Sequence, residues 1–388
     1  MKWKNKGHEY DIVYEKIKKL KGIYLLGAGH DGLMVKDILC DRYNSIEILG
    51  YIDNDVKKQG TTYQGLMVSA LDDVKVEETV GIVVAFASEF TKSVDRQLIE
   101  KGWIKGRSFF HYEEFISVLA AYEYNELFMS SICVLPTTKC NLRCEACLNF
   151  TTYIKHFIEH PLEEIKRDID LFFDNVDYVG LFFISGGEPL LYPHIADIVQ
   201  YIDKQYGDKI YSFETVTNGT VKPSSEFLKV LQNTKIKITV DDYRDVLLDQ
   251  KEKFEENLEQ LYKYGGHEKV SLRKYDEWID LYPYPQEVLK DDELVKKYDM
   301  CHVPWQEYRK GKLYSCNYAA FASVAEITDE IDDSEVYDLT SHKKENLKVA
   351  MEFRLGFSEK GYVEFCKKCA GYLEINEHKV KPAIQKKG

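Results

Sequence analysis

Short hydrophobic runs alternate with amphipathic stretches along the first third of the chain. The runs have the length of buried strands and occupy residues 22–26, 46–52 and 82–85. Helical patterns follow the first run up to about residue 43 and cover residues 90–101. Alternation of strand and helix predicts a parallel sheet. We assign it to a first domain, residues 1–118, with a helical connector leading on to about residue 130.

A second alternation begins at Ile132 and predicts a domain over residues 119–298. Strand patterns of this domain lie at 132–137, 179–184, 210–216, 236–240 and 270–273. Helical patterns lie at about 162–175, 194–205, 225–232 and 247–264. Repeated strand–helix units of this kind predict a full or partial α/β barrel.

The last part of the chain, residues 299–388, is different in character. A hairpin over 307–316 turns at Lys310-Gly311, a helix is predicted at 344–354, and the basic tail 379–388 is expected to be loose. The predicted fold is therefore α/β, with a Rossmann-like N-terminal sheet, a central partial (β/α)6 barrel and a small C-terminal domain.

The net charge of the chain disfavours some classes of binding partner. The 388 residues carry a net charge of -13, which disfavours nucleic acid and anionic membranes as general partners. The apolar runs are far shorter than the roughly 20 residues of a membrane span, and residues 1–21 lack the apolar core of a secretory signal. We therefore expect a cytoplasmic protein, whose nine cysteines are reduced thiols and candidate metal ligands.

Three of these cysteines, Cys140, Cys144 and Cys147, follow the first strand of the second domain with the spacing Cys-x3-Cys-x2-Cys. A loop can wrap three thiolates around one iron–sulfur cube, and one iron is then left open for a ligand. The alternative is a structural zinc site, which needs a fourth ligand from elsewhere in the chain.

The triplet resembles the signature of the radical S-adenosylmethionine (SAM) superfamily, in which the open iron binds SAM. Three further segments resemble the family's SAM contacts, and each follows a predicted strand: Gly186-Gly187-Glu188-Pro189, Thr217-Asn218-Gly219, and Thr239 with Asp241. The resemblance implies a 4Fe–4S cluster, SAM, and an electron donor such as flavodoxin or ferredoxin. Ala146 departs from the pattern, because relatives commonly carry an aromatic residue there, near the adenine.

Four more cysteines predict a second cluster: Cys301, Cys316, Cys366 and Cys369. The hairpin would bring Cys301 near Cys316, and the Cys-x2-Cys pair would complete a closed site for an electron-transfer cluster or a structural zinc ion. The spacing resembles the twitch subdomain, a shortened SPASM domain, which implies an auxiliary 4Fe–4S cluster. The other two cysteines are interpreted as core residues, although Cys133 on the first barrel strand is also a candidate hydrogen-atom donor.

A glycine loop, Gly27-x-Gly29-x-x-Gly32, lies between a strand and a helix in the first domain. In that position such a loop accepts phosphate groups, and Asp53 after the next strand is a candidate for ribose hydroxyls. The segment resembles the Rossmann-like domain of bacterial sugar-nucleotide-modifying proteins. This implies a nucleotide-sugar ligand, and the alternative is a scaffold without a ligand.

The resemblance implies an enzyme that removes a hydrogen atom from a C–H bond through a 5′-deoxyadenosyl radical. We expect oxidation or epimerisation of a small molecule, namely a sugar, nucleotide-sugar or aminocyclitol, with Arg273 and His302 as guesses for the base. One alternative is a ribosomal-peptide maturase that epimerises or cross-links its substrate. Another is a metal-binding scaffold without activity, which the Gly-Gly-Glu-Pro segment disfavours.

Overall fold

The computed structural model describes residues 1–86, 91–283, 288–301, 306–329, 331–372 and 375–386. The strands are β1 Gly22–Leu26, β2 Glu47–Ile52, β3 Thr62–Tyr63, β4 Leu66–Ser69, β5 Val80–Val84, β6 Phe109–His111, β7 Phe128–Val134, β8 Tyr178–Ile184, β9 Ile210–Thr217, β10 Lys237–Asp241, β11 Val270–Arg273, β12 Trp278–Ile279, β13 Glu307–Arg309, β14 Lys312–Tyr314, β15 Val336–Asp338 and β16 Lys379–Val380. The α-helices are α1 Asp11–Ile17, α2 His30–Asp41, α3 Thr91–Glu100, α4 Tyr112–Leu119, α5 Leu162–Asn175, α6 Ile195–Tyr206, α7 Ser225–Asn233, α8 Lys251–Lys269, α9 Asp291–Cys301, α10 Asn317–Val324 and α11 Leu347–Arg354. None of the helices within these ranges is both long enough and apolar enough to cross a membrane.

The chain divides into two compact units. The larger unit consists of Met1–Trp3, Ser131–His342 and Gly356–Gly388, and the smaller unit consists of Lys4–Ser130 and Lys343–Leu355. This division differs from domain boundaries at residues 118 and 298. It keeps the segment after α4 with the first sheet, and it moves α11 from the C-terminal part of the chain into the smaller unit.

The smaller unit is built on a six-stranded sheet of order β3-β4-β2-β1-β5-β6. Strand β1 pairs in parallel with β2 and β5, and β5 pairs in parallel with β6, which confirms the predicted parallel sheet. Helix α2 buries Met34, Val35 and Ile38. Cys40 is exposed, so the prediction that it lies in the core is wrong. Its position on α2 turns it away from the buried stripe.

The connector after α4 also differs from the helix predicted up to residue 130. A π-helical turn, Ala120–Tyr124, ends at Asn125, whose positive φ of 53° breaks the helix. The chain then enters β7 at Phe128, four residues before the predicted start of the strand at Ile132.

Helix α11 is held in the smaller unit by hydrogen bonds and a cation–π contact. The Glu352 carboxylate accepts hydrogen bonds from the backbone N–H groups of Gly7 at 2.7 Å and Glu9 at 2.8 Å. Lys348 Nζ lies 3.8 Å from the centre of the Tyr122 ring. The helix predicted at 344–354 therefore forms, but its partners lie more than 200 residues earlier in the chain.

The larger unit is built on an eight-stranded sheet of order β11-β10-β9-β8-β7-β13-β14-β15. Strands β8 to β11 pair in parallel, each with the next. Apolar residues recur at helical spacing in α5, and its Phe172 and Phe173 pack on Phe182 of β8, so one face of the sheet is covered by helices. Strand β12 pairs antiparallel with β16 in a separate sheet rather than as a sixth barrel strand.

Two segments near the end of the chain complete the larger unit. The predicted hairpin is confirmed, since β13 and β14 pair antiparallel around Lys310 and Gly311, whose positive φ values of 51° and 76° suit a two-residue hairpin turn. The tail was expected to be loose, and over its described part this is wrong. It is ordered by β16 and by a bridge between Gln385 and Cys144.

Candidate functional site

The three cysteines of the first cluster lie in one loop between β7 and α5, which we call the cluster loop (residues 135–161). Cys140 and Cys147 are half-buried and Cys144 is buried, and all three are free thiols. Burial raises the pKa of Cys140 and Cys144 to about 12, and the neighbouring thiols of the triplet add to both shifts. The structure thus brings the predicted triplet together, but no three His, Cys, Asp or Glu side chains in the described ranges are already arranged around a metal position.

Each sulfur of the triplet has a hydrogen-bonding partner. The backbone N–H of Leu142 donates to Cys140 Sγ at 3.4 Å, and Thr151 Oγ1 lies 3.2 Å from Cys147 Sγ. The amide of Gln385 donates to Cys144 Sγ at 3.3 Å.

The Gly-Gly-Glu-Pro segment lies directly against the cluster loop. Gly187 N–H donates to Thr137 O at 3.0 Å, and Glu188 N–H donates to Lys139 O at 2.8 Å. A Cβ at Gly187 would lie 2.6 Å from Thr138 O and nearer still to Lys139 O. Glycine is required here because the two backbones touch.

Glu188 is the buried acid of this segment, with 1% of its surface exposed. Its carboxylate accepts hydrogen bonds from Asn218 N–H at 2.8 Å and Leu190 N–H at 3.2 Å, the latter where Pro189 begins a short 3-10 turn. Burial raises the pKa of Glu188 to about 7, against the lowering effect of these hydrogen bonds. A cationic group brought next to Glu188 would favour its charged form.

Asn218, in the loop after β9, also connects to the cluster loop. Its side-chain amide donates to Asn141 Oδ1 at 2.9 Å, and Asn141 Nδ2 donates to Thr220 Oγ1 at 2.7 Å. Three sequence-predicted segments, after β7, β8 and β9, are therefore joined by hydrogen bonds at one end of the sheet. This is the end where parallel barrel strands place their functional loops.

The remaining predicted SAM contacts, Thr239 and Asp241, lie on β10 and form hydrogen bonds with other side chains of the protein. Asp241 is buried and accepts hydrogen bonds from Arg273 Nε at 2.8 Å and Tyr243 OH at 3.0 Å, while Thr239 Oγ1 lies 3.0 Å from Ser271 Oγ. Arg273, one of the guessed bases, is thus the ion-pair partner of Asp241. His302, the other, lies outside the described residues.

A cavity lies beside the Gly-Gly-Glu-Pro segment, and Gly186 forms part of its lining. Its polar lining includes Asn149 and Thr138 of the cluster loop, together with His160 and Arg309. Burial lowers the pKa of His160. Arg309 and His160 were not predicted from the sequence, and the only available signal was that Arg309 lies on a strand of the predicted hairpin.

Next to Arg309 is a buried acid, Glu307, that was not predicted from the sequence either. Glu307 is completely buried, and Arg309 Nε lies 3.2 Å from one of its carboxylate oxygens. Among the residues that the structure describes, neither oxygen has a hydrogen-bond donor. Burial raises the pKa of Glu307. Glu307 is the register partner of Cys133 on β7, so the two side chains lie on the same face of the sheet. Residues two apart along a strand share a face. This face therefore also carries the cavity residues Arg309 and Leu135.

The four cysteines of the second group also gather in the larger unit. Cys301 ends α9, Cys316 precedes α10, and Cys366 and Cys369 lie in and after a short 3-10 turn. Burial raises the pKa of Cys316, and the nearby thiols of the other three cysteines raise it further. Lys297 Nζ donates to the carbonyl groups of Cys366 at 2.8 Å and Cys369 at 2.5 Å, which fixes the Cys-x2-Cys turn against α9.

The glycine loop of the smaller unit has the predicted strand–loop–helix setting, since Gly27 follows β1 and Gly29 caps α2. Gly32 packs its backbone against Gly27 O. Asp53, predicted to bind ribose, accepts hydrogen bonds from Ala28 N–H and Lys58 Nζ, both at 2.9 Å. The carboxylate holds the loop in place, and the lysine adds a cation beside it.

Comparison with known proteins gives one family match. Residues 134–273 match the sequence profile of the Radical SAM superfamily, and this range contains the cysteine triplet, the Gly-Gly-Glu-Pro segment, Asn218 and Asp241. No curated protein sequence matches the chain.

Solved structures resemble the chain only distantly. BtrN in complex with AdoMet and 2-DOIA shares 20% identity, with 62% of this chain and 92% of BtrN covered and a TM-score of 0.40. Streptococcus suis SuiB bound to S-adenosylmethionine shares 19% identity, with 57% and 52% covered and a TM-score of 0.30. For anSMEcpe with bound AdoMet the identity is 14%, with 56% and 79% covered and a TM-score of 0.34.

The family assignment therefore rests on the profile match and on the motifs within it. The centre of this chain, residues 134–273, is a radical SAM domain.

Proposed function

We propose that this protein is a radical SAM enzyme that oxidises or epimerises a sugar, nucleotide-sugar or aminocyclitol. The observation that carries the proposal is the junction of the cluster loop with the Gly-Gly-Glu-Pro segment and Asn218, next to a cavity lined by both polar and apolar side chains. The cavity offers an arginine, a histidine, an asparagine and threonines, which suit a substrate rich in hydroxyl groups.

The residues around the triplet fit a 4Fe–4S cluster bound by Cys140, Cys144 and Cys147. The sulfurs share one loop, each has a hydrogen-bonding partner, and the nearby Glu188 is a buried acid suited to an ammonium group such as that of SAM. When bound, the cluster supplies the electron that cleaves SAM, and the resulting 5′-deoxyadenosyl radical removes a hydrogen atom from the substrate.

The other residues of the site would bind the substrate and move its proton. Arg309 lines the cavity and would contact the substrate, and Glu307 would fix its guanidinium. Oxidation of an alcohol carbon would give one hydrogen atom to the 5′-deoxyadenosyl radical, the hydroxyl proton to Glu307, and the remaining electron to the proposed auxiliary cluster. In an epimerisation no proton is lost, and a hydrogen atom must return to the opposite face. Cys133, beside Glu307, is the candidate donor for that step.

The second cysteine group is proposed to hold an auxiliary 4Fe–4S cluster, as in a twitch domain, and the glycine loop of the smaller unit to hold a nucleotide. The gathering of four cysteines around the hairpin and α10 supports the former. The strand–loop–helix setting and the adjacent Lys58 support the latter.

The first test is anaerobic reconstitution followed by dithionite and SAM. Formation of 5′-deoxyadenosine by the wild type, and its loss in the variant Cys140→Ala/Cys144→Ala/Cys147→Ala, is the expected result. A variant that still forms 5′-deoxyadenosine would refute the proposal. Metal analysis of the same samples tests the auxiliary site. One zinc ion per chain in place of a second set of irons would rule out the proposed auxiliary cluster.

The substrate class is tested with deuterated candidates. Deuterium transfer from a sugar, nucleotide-sugar or aminocyclitol into 5′-deoxyadenosine would support the proposal, and transfer only from a peptide would favour the maturase instead. With a substrate in hand, Cys133→Ala separates the two reactions. An epimerase would lose product but keep deuterium transfer, whereas an oxidase would keep both.

A further inference from the structure

The C-terminal segment of the described chain, Pro382 to Lys386, lies along the cluster loop. Glu145 N–H donates to Ile384 O at 2.8 Å, and Lys386 N–H donates to Arg143 O at 2.7 Å. These two bonds form an antiparallel bridge in which Gln385 is directly opposite Cys144. The segment is anchored by Ala383, which is fully buried in a small cluster with Cys144, Tyr243 and Leu247.

The hydrogen bonds of Gln385 fix the orientation of its side-chain amide. Arg143 N–H can only donate, and it lies 2.8 Å from Oε1. Ala383 O can only accept, and it lies 2.7 Å from Nε2. The amide nitrogen is therefore the atom that faces Cys144 Sγ, at 3.3 Å.

Gln385 differs from the partners of the other two sulfurs in its origin. Leu142 and Thr151 belong to the cluster loop itself, whereas Gln385 is 241 residues away from Cys144 in sequence. A donor that distant is held by tertiary structure, so it also connects the position of the cluster loop to the end of the chain.

We propose that Gln385 is a positioning residue for the SAM cluster, holding Cys144 as a ligand and raising the reduction potential of the cluster through its N–H···S hydrogen bond. The inference rests on the proposed function, since it requires a cluster on the triplet. Hydrogen bonds to cluster sulfurs are among the factors that set the potential of an iron–sulfur centre. A donated N–H favours the more negative, reduced state of the cluster and so raises its reduction potential.

The test compares two variants at Gln385 with a matched control. Gln385→Met keeps the length of the side chain and removes the donor. Gln385→Glu also removes the donor but keeps an acceptor for Arg143 N–H, so it serves if the methionine variant fails to fold. Ile384→Ala, in the same segment, changes no charge and leaves the backbone bridge in place.

The readouts are a potentiometric titration followed by electron paramagnetic resonance and the rate of iron release to a chelator. The signal that changes when SAM is added identifies the SAM cluster. Both Gln385 variants should shift its midpoint to lower potential and release iron several-fold faster than the wild type, and Ile384→Ala should match the wild type.

Two results would overturn the inference. One is a folded Gln385→Met protein with unchanged potential and iron release, and the other is an Ile384→Ala protein that changes as much as the Gln385 variants. A wild type without any SAM-responsive signal would refute the proposed function itself, and the inference with it.

Discussion

The contact between Gly187 and the cluster loop leads to a quantitative prediction. In Gly187→Ala the new methyl carbon would lie 2.6 Å from Thr138 O and closer still to Lys139 O, whereas side-chain carbons in proteins do not approach within 3.0 Å. Both obstacles are backbone atoms, so no side-chain rotation relieves the overlap. The two loops must separate, and the hydrogen bonds from Gly187 N–H and Glu188 N–H are weakened or lost.

The expected loss of stability is the sum of the steric overlap of the added methyl group and the weakening of the two hydrogen bonds. Overpacking costs about 1–3 kcal/mol and each of the two hydrogen bonds about 1 kcal/mol, so the free energy of unfolding should fall by about 3–5 kcal/mol. For a unit of this size that corresponds to a fall of about 10 °C in the thermal midpoint. Binding of SAM and retention of iron should fall with it, because the displaced loop carries the cysteines.

Gly207→Ala is the matched control. Gly207 has helical backbone angles, and the nearest atom to an added Cβ is Lys235 Cε at 3.8 Å. This alanine should leave stability unchanged or raise it by up to about 1 kcal/mol. Circular dichroism of the two variants and equilibrium dialysis with SAM make the comparison. A Gly187→Ala protein that melts within about 2 °C of the control and binds SAM normally would refute the described packing.

Three further predictions concern ionisable side chains. Burial raises the pKa of Glu188 from 4.5 to about 7, so the stability that its protonated form contributes is complete below pH 4.5 and is lost as pH rises through 7. The free energy of unfolding, measured with denaturant, should therefore fall by about 3 kcal/mol less between these pH values in Glu188→Gln than in the wild type. Lys297→Met removes the donor to the carbonyl groups of Cys366 and Cys369, and the iron content should fall by up to half while 5′-deoxyadenosine formation persists. Glu352→Gln weakens two hydrogen bonds from backbone N–H groups to a buried carboxylate, and the free energy of unfolding should fall by about 1–3 kcal/mol with cluster content unchanged.

The sequence predicted the parts of the structure that have a local signal. Strands β8 to β11 lie within one residue of the predicted boundaries, because each is a short run with β-branched or aromatic residues that alternates with an amphipathic helix. The Gly-Gly-Glu-Pro segment and Asn218 could be placed beside the cysteine triplet because loops after parallel strands meet at one end of the sheet.

The missed features depend on contacts between segments distant in sequence. Nothing in the local pattern shows that Glu307 and Arg309 lie beside Cys133, since this follows from the pairing of β13 with β7. The tail looked loose because it is short and basic, and it is ordered by the pairing of β16 with β12 and by its bridge to the cluster loop. Asp241 and Arg273 were predicted separately, and their ion pair follows from the register of β10 and β11.

The inclusion of α11 in the smaller unit has a consequence for how the protein is made. A ribosome finishes the first sheet early, but the helix that covers Tyr122 and binds the backbone at Gly7 is translated only after the whole segment Ser131–His342. Until then the surface on which Leu347, Ala350 and Met351 pack is exposed, and transiently exposed apolar surface of this kind promotes aggregation. The smaller unit can therefore complete its fold only after Leu355 has been synthesised, and a fragment that stops near residue 130 would never do so.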